Sequence, residues 1–281
     1  MRVRSMLKCT EDEQMIQKYT GPIGHFQYDD AMYKINEEGY LKYVGYEIDG
    51  HKINVPDGLV DGTGLFENVG LTSGANLPDS LKIMDRMYFG CSDMIEPGRV
   101  PEGVESINSG YAYTAIQETP ALPDSIKKAN FAFDHCTDLE KCRNFPKELE
   151  EADCMFAGDV NLVELPEELP ERLKTMDGFA CDCENLRIPP KTNAGIEKMD
   201  NAYASCQNLE VAPEVPEGAS AENVTTDCYT LENSADGASS EKTVEKTDDR
   251  TFDEKASERA RLAGLESIAE PEQKSSDGLA L

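Results

Sequence analysis

Nine cysteines carry the most evident chemistry in this chain: Cys9, Cys91, Cys136, Cys142, Cys154, Cys181, Cys183, Cys206 and Cys228. Thiolates bind zinc or act as nucleophiles, and each task demands a spacing. Structural zinc sites read as Cys-x-x-Cys or Cys-x-x-x-x-Cys pairs. The one close pair here is Cys181-x-Cys183. A nucleophile needs a base within hydrogen-bond reach. Of the three histidines, His25, His51 and His135, only His135 adjoins a cysteine, and neighbours on a turn seldom attain that geometry. If Cys136 points into a core, His135 points out. No triad, phosphate loop or calcium loop is legible. Carboxylates are too numerous for any pair to mark a glycosidase. The expectation is a chain without catalytic residues, metal or cofactor.

Charge is the second chemical resource. Lys and Arg total 27 against 55 Asp and Glu, a net charge of −28 over 281 residues. Nucleic acid requires a basic face, and so does anionic lipid; neither is an expected partner. No apolar run approaches the ~18 residues of a membrane span. The basic start, Met1-Arg2-Val3-Arg4, is followed by Lys8, Glu11, Asp12 and Glu13 rather than by an apolar export segment. Reduced thiols and a cytoplasmic location are therefore expected, for a monomer. One run of acids recurs at regular spacing: Asp57, Asp79, Glu102 and Asp124, then, after Lys147, Glu171, and after Ala194, Glu217. Asp57, Asp79, Glu102, Asp124 and Glu171 are the candidate partner-binding residues. They would steer a protein partner with a basic surface; solubility is the plainer explanation of the same acids.

The acids are evenly spaced because the chain itself repeats. An apolar residue followed by Pro occurs at Val55, Leu77, Val100, Leu122, Phe145, Leu169 and Val215, with Thr192-Asn193 in the missing place. The intervals are 22 to 24 residues. Numbered from that pair, the fifth column is Leu59, Leu81, Val104, Ile126, Leu149, Leu173 and Ile196, and the eighth is also apolar, from Met84 to Met199. The twelfth is aromatic: Phe66, Tyr88, Tyr111, Phe133, Phe156 and Tyr203, with Phe179 displaced by one at the sixth unit. The fifteenth holds Cys91, Cys136, Cys183 and Cys206, and the eighteenth Met94, Leu139, Leu162, Leu186 and Leu209. One unit cannot close a core. Burying an apolar side chain stabilises by about 1.5–3 kcal/mol, whereas ordering each residue costs at least ~1 kcal/mol in backbone entropy. Only stacking, which covers both faces of every coil, makes the sum favourable. The predicted fold is a mainly β solenoid of about seven coils, its short strands stacked in parallel about 4.8 Å apart.

Two polar columns agree with this register: Asp85, Asn108, Asn130, Asp153, Asp177 and Asp200, and, eight places on, Asp93, Asp138, Asn161, Asn185 and Asn208. Asp and Asn bond their own backbone in tight turns, so a line of such turns is expected. The sixth column reads Val60, Lys82, Glu105, Lys127, Glu150, Lys174, Glu197. The alternating sign is what in-register neighbours favour, and it predicts a solvent-exposed Lys/Glu ladder. The four column cysteines should pack as small hydrophobes, with Cys142, Cys154 and Cys228 outside the column and more reactive.

The segment Leu122-Pro-Asp-Ser-Ile-Lys-Lys-Ala-Asn-Phe-Ala-Phe-Asp-His-Cys-Thr-Asp-Leu139 resembles the BspA-like leucine-rich repeat, in which a Pro-x-Ser-apolar segment precedes Ala-Phe-x-x-Cys-x-x-Leu. Ala132-Phe133, Cys136 and Leu139 fit fully; Ala202-Tyr203, Cys206 and Leu209 fit closely. The resemblance covers about 160 residues, 55–216. Thr114 and Asp159 stand where cysteine is expected, and the 145–168 unit carries one extra residue. The resemblance implies a leucine-rich repeat stack. It also implies a bacterial protein that binds partner proteins, often from the cell surface.

Aromatic and polar residues alternate over 25–53, and Asp49-Gly50 is a hairpin signal. Residues 1–54 are read as an N-terminal segment with a β cap that shields the first coil's edge. Residues 55–218 are the solenoid. After Val215-Pro216 the pattern dissolves: residues 219–281 carry 15 acids and 7 bases and should be mostly disordered. The exception is a short helix at 252–269, where Leu262, Leu265 and Ile268 share a face. A non-enzymatic protein-binding module is the leading reading. The alternatives are a structural or effector-type protein docking through the tail helix, or a surface adhesin exported without a recognisable signal.

Overall fold

The computed structural model describes residues 25–28, 31–35, 41–44 and 53–233. The Asp49-Gly50 turn, Cys9 and the 252–269 helix lie outside these residues. From Asn54 onward the chain winds in coils joined edge to edge. One unbroken line of parallel bridges runs Asp61, Ile83, Ser106, Lys128, Glu151, Thr175, Lys198, Ser220. The other parallel bridges fall on two further lines, with gaps: Ser73–Glu96 and Glu118–Lys141–Glu164 on one, Asn54–Asn76 and Glu168–Lys191 on the other. The alternating-charge column confirms the register directly. Glu105 N–H donates to the Lys82 carbonyl at 2.8 Å, Lys127 to Glu105 at 2.9 Å, Glu150 to Lys127 at 2.8 Å and Lys174 to Glu150 at 2.9 Å. Lys127 and Glu105 close into an ion pair at 2.8 Å, whereas the Lys82 ammonium turns to the Gly103 carbonyl at 3.0 Å.

The apolar columns form one contiguous core. Leu81, Val104, Ile126, Leu149 and Leu173 are fully buried, as are Met84, Ile107, Ala129, Ala152 and Met176. Gly62 opens the eighth column without a side chain, and the Met87 methyl occupies the space its Cβ would need. Ile116, where the repeat spacing slips, is still fully buried. The aromatic column becomes a ladder of rings. Phe66–Tyr88 stack at 5.4 Å, Tyr111–Phe133 at 5.6 Å and Phe133–Phe156 at 5.6 Å. Phe179 meets Phe156 edge-on at 5.4 Å and Tyr203 at 6.1 Å, so its displacement in sequence leaves no gap.

Each coil turns its corner with two tight turns whose third residue has positive φ, and in most coils both turns are hydrogen-bonded. In one coil Met87 N–H reaches the Met84 carbonyl across Arg86, and Cys91 N–H reaches the Tyr88 carbonyl across Gly90, both at 3.1 Å. The same two places recur in every coil: Gly64, Arg86, Ser109, Phe131, Cys154, Gly178, Asn201 and Asn223, then Asn68, Gly90, Tyr113, His135, Gly158, Asp182, Ser205 and Asp227. Twelve of these sixteen are not glycine, with φ between 51° and 61°. A left-handed L-residue costs about 1–2 kcal/mol. The return is a run of hydrogen bonds to the next coil, from Met84, Arg86, Tyr88 and Gly90 to the carbonyls of Ser106, Asn108, Gly110 and Ala112.

The Asp/Asn column works differently from the expectation. Its side-chain oxygens reach across coils: each accepts the backbone N–H of the corresponding residue one coil on. Asp85 takes Asn108, Asn108 takes Asn130, Asn130 takes Asp153, Asp153 takes Asp177 and Asp177 takes Asp200, at 2.8 to 3.0 Å. Burial pushes the Asp85 and Asp153 carboxyls above their ordinary range.

At the N-terminal side, β1 (His25–Tyr28), β2 (Ala31–Ile35) and β3 (Leu41–Tyr43) form an antiparallel sheet in that order. Tyr43 N–H donates to the Leu65 carbonyl at 2.8 Å, the Tyr33 hydroxyl to Asn54 at 2.7 Å, and the Tyr43 ring lies 5.5 Å from Phe66. The sheet thus extends the aromatic ladder by two rings. At the other end the stack runs on past 218. Ser220 bridges Lys198, Glu222 N–H bonds Asp200 at 2.7 Å, and the fully buried Cys228 precedes a short helix α1, Tyr229–Asn233. The hydrogen-bonded coil that begins near Val215 thus continues through residue 218 to Cys228.

Candidate functional site

The cysteines form a structural column. Cys91, Cys136, Cys183, Cys206 and Cys228 each donate Sγ–H to a backbone carbonyl of the preceding coil, those of Phe66, Tyr111, Phe156, Ala180 and Tyr203, at 3.0 to 3.2 Å. Cys228 therefore belongs to the column; it stands one place early counted from Val215-Pro216, which hides it in the sequence. The expectation that Cys142, Cys154 and Cys228 are the reactive thiols is corrected. All three are buried. Burial pushes the Cys91 and Cys142 thiols up to about 12 and the Cys136, Cys181 and Cys183 thiols well above their ordinary value, which leaves little thiolate to react. His135 does point outward. Its ring stacks on Tyr113 at 5.0 Å, and its Nδ1 lies 3.0 Å from an Asp134 carboxylate oxygen. The Cys136 thiol faces the core instead. Among the described residues no group of three or more His, Cys, Asp or Glu side chains is arranged to hold a metal ion.

The acidic line is exposed throughout. Asp57, Asp79, Glu102, Asp124 and Glu171 all face solvent, one per coil. Coil register, not sequence proximity, brings them together. Two are partly neutralised: Asp79 by Arg99 at 2.7 Å and Asp124 by Lys147 at 2.6 Å. Lys147 also holds the Asp124 carboxyl below its usual range by donating a hydrogen bond to it. Among the described residues Asp57, Glu102 and Glu171 have no cation within 4.0 Å.

Glu171 lies on a groove of about 680 Å³ that the sequence did not announce. Its walls include Phe145, Lys147, Pro166, Glu168, Leu169 and Arg172. That volume is within the range of small-molecule clefts, though the depression is open to solvent. Its cations are engaged with neighbours: Arg143 with Glu118 at 2.6 Å, Lys147 with Asp124, and Arg172 with Glu148. The nearest irregularity in the sequence is the extra residue of the 145–168 unit, which falls between Asp159 and Leu169, on the Pro166 side of the groove.

No family model matches the chain, and no curated protein does. Solved structures do. One is a leucine-rich repeat protein from T. pallidum, 22% identical, covering 70% of this chain and 86% of that one with a TM-score of 0.43. Another is a leucine-rich repeat protein from Bacteroides ovatus, 15% identical, covering 73% and 80%, TM-score 0.36. A third is a leucine-rich cell surface protein from Faecalibacterium prausnitzii, 14% identical, covering 75% and 94%, TM-score 0.24. The chain is thus similar to bacterial leucine-rich repeat proteins. The solenoid itself rests on the coil-to-coil hydrogen bonds described above. Among the described residues no helix is long and apolar enough to cross a membrane.

Proposed function

We infer that this leucine-rich repeat chain is a non-catalytic module that binds a protein partner with a basic surface along its acidic line. The supporting observation is that line: Asp57, Asp79, Glu102, Asp124 and Glu171, exposed and held at fixed spacing by the backbone ladder, three of them with no cation at hand. The solenoid of residues 55–218 carries 31 acids against 13 bases. Such a field steers a basic surface and repels nucleic acid and anionic lipid. The groove beside Glu171 gives that surface one concave place in which to seat a side chain. In this reading the module is a monomer of about seven full coils with the β sheet as its cap, and it needs no cofactor.

Capture of partners by the full chain, compared with Asp57→Lys/Glu102→Lys/Glu171→Lys, tests the proposal. The triple variant should lose the partner, and wild-type affinity should fall by tenfold or more between about 50 and about 500 mM salt. Salt-indifferent capture, or capture undiminished in the triple variant, refutes it. Removing 238–281, which leaves the last coil intact where a cut at 218 would not, separates this reading from docking through the tail. Loss of partner on that truncation alone favours the tail.

A further inference from the structure

Asp159 is the most anomalous side chain of the core. It is fully buried, and neither carboxylate oxygen has a hydrogen-bond partner. It occupies the thiol column, between Cys136 one coil before and Cys183 one coil after. Every other acidic side chain of the repeats either reaches solvent or accepts a hydrogen bond. An ionised carboxylate can only accept hydrogen bonds, and here no donor closes a hydrogen bond onto either oxygen. The N–H of Cys136, the one backbone donor facing it, is spent on the Phe133 carbonyl at 3.0 Å. What the column does offer is an acceptor. Each thiol of the line donates to a carbonyl of the ring-bearing turn in the preceding coil, and the carbonyl at the corresponding place for Asp159 is that of Phe133.

We propose that Asp159 is held as the neutral acid, its O–H standing in for a thiol toward the Phe133 carbonyl, and that this proton latches the 145–168 coil to the coil before it. Loss of the proton leaves an unpaired charge in the core and loosens the coil that supplies Phe145, Lys147, Glu148, Pro166 and Glu168 to the groove. The titratable groups around it are Asp134 and Cys136 from the preceding coil, His135 behind Asp134, and Cys183 with Asp182 from the following coil. Burial, then the charge of Asp134, both push the Asp159 carboxyl well above its ordinary range. A group whose folded pKa is raised contributes stability below its unfolded pKa of about 3.9 and loses it as pH rises through the folded value.

The test uses the full chain labelled with ¹³C-aspartate, the Asp159 carboxyl signal being assigned by its absence in Asp159→Asn. The signal should remain that of the acid at neutral pH; titration alongside the surface carboxyls overturns the proposal. Urea unfolding between about pH 5 and about pH 9 supplies the second readout. The unfolding constant of wild type relative to Asp159→Cys should grow with pH, by up to about tenfold per unit between the unfolded pKa of about 3.9 and the folded value, and level off above the latter. A flat ratio overturns the proposal. So does a pH dependence that survives in Asp159→Cys and vanishes in Asp134→Asn, because the titrating group is then Asp134.

Discussion

Replacing Asn130 by Ala measures what the cross-coil amide line contributes. Its Oδ1 accepts the Asp153 N–H at 2.9 Å, and its Nδ2 donates to Glu151 Oε2 at 3.1 Å. Truncation leaves the Asp153 N–H without its acceptor in a partly buried site, at a cost of about 1–3 kcal/mol. The half-exposed contact to Glu151 adds about 0.5 kcal/mol. The expected loss is about 2 kcal/mol, or a fall in Tm of about 4–8 °C for a folded unit of this size. Asn161→Ala is the matched control: its amide reaches the Thr137 carbonyl at 2.9 Å from an exposed position, where water replaces the bond. Urea titrations of both variants should show a shifted midpoint with an unchanged slope for Asn130→Ala and little shift for Asn161→Ala. Equal losses in the two, or less than about 0.5 kcal/mol at Asn130, would refute the idea that these side chains hold coils together rather than shape turns. Asn130→Asp sharpens the point. It keeps the acceptor but sets a carboxylate beside Asp153 and Glu151, so it should be destabilising at neutral pH and recover as acid protonates it.

Ser205, at φ 60°, should tolerate Gly with a gain of up to ~1 kcal/mol, because relief of left-handed strain exceeds the entropy added to the unfolded chain; Ser205→Val should lower Tm. Lys127→Glu places like charges between Glu105 and Glu150 and should lower Tm at about 50 mM salt by more than at about 500 mM; an equal loss at both would mean that packing, not charge, is at stake. A thiol reagent should label the eight described cysteines rapidly only after unfolding, and fast labelling of Cys142, Cys154 or Cys228 in the native chain would contradict their burial.

The stack was legible in the sequence because its apolar columns are strict: Leu81, Val104, Ile126 and Leu149 announce one inward line however the loops vary. The Lys/Glu alternation gave the register independently, since only direct neighbours feel opposite charge at that range. The paired left-handed positions were not legible. Glycine marks just four of them, and residues as bulky as Phe131 and Tyr113 occupy others because cross-coil hydrogen bonds override local preference. The target of the Asp/Asn side chains was misread because a turn motif and a cross-coil bond use the same residue types. Of the candidate surface, the acidic line was visible as a column; the groove was not, since its walls come from residues 143–148 and 166–172, a coil apart in the chain. Asp159 stood out as a departure from the thiol pattern, but its isolation needed the burial of everything around it.

The amide line has two distinct terminators. At its start Thr63 N–H is satisfied within its own coil, by Asp61 Oδ1 at 3.0 Å, and at its finish the last carboxylate, Asp200, meets Glu222, too long a side chain to offer the same short-range acceptor onward. Among the described residues the line thus starts and stops at side chains that do not continue it. Whole units duplicated between Asp85 and Asp200 should splice in without a seam, whereas units appended beyond Glu222 would find no receptor waiting for their first amide. Growth or shrinkage of such an array by gene duplication is open in the middle and closed at both ends.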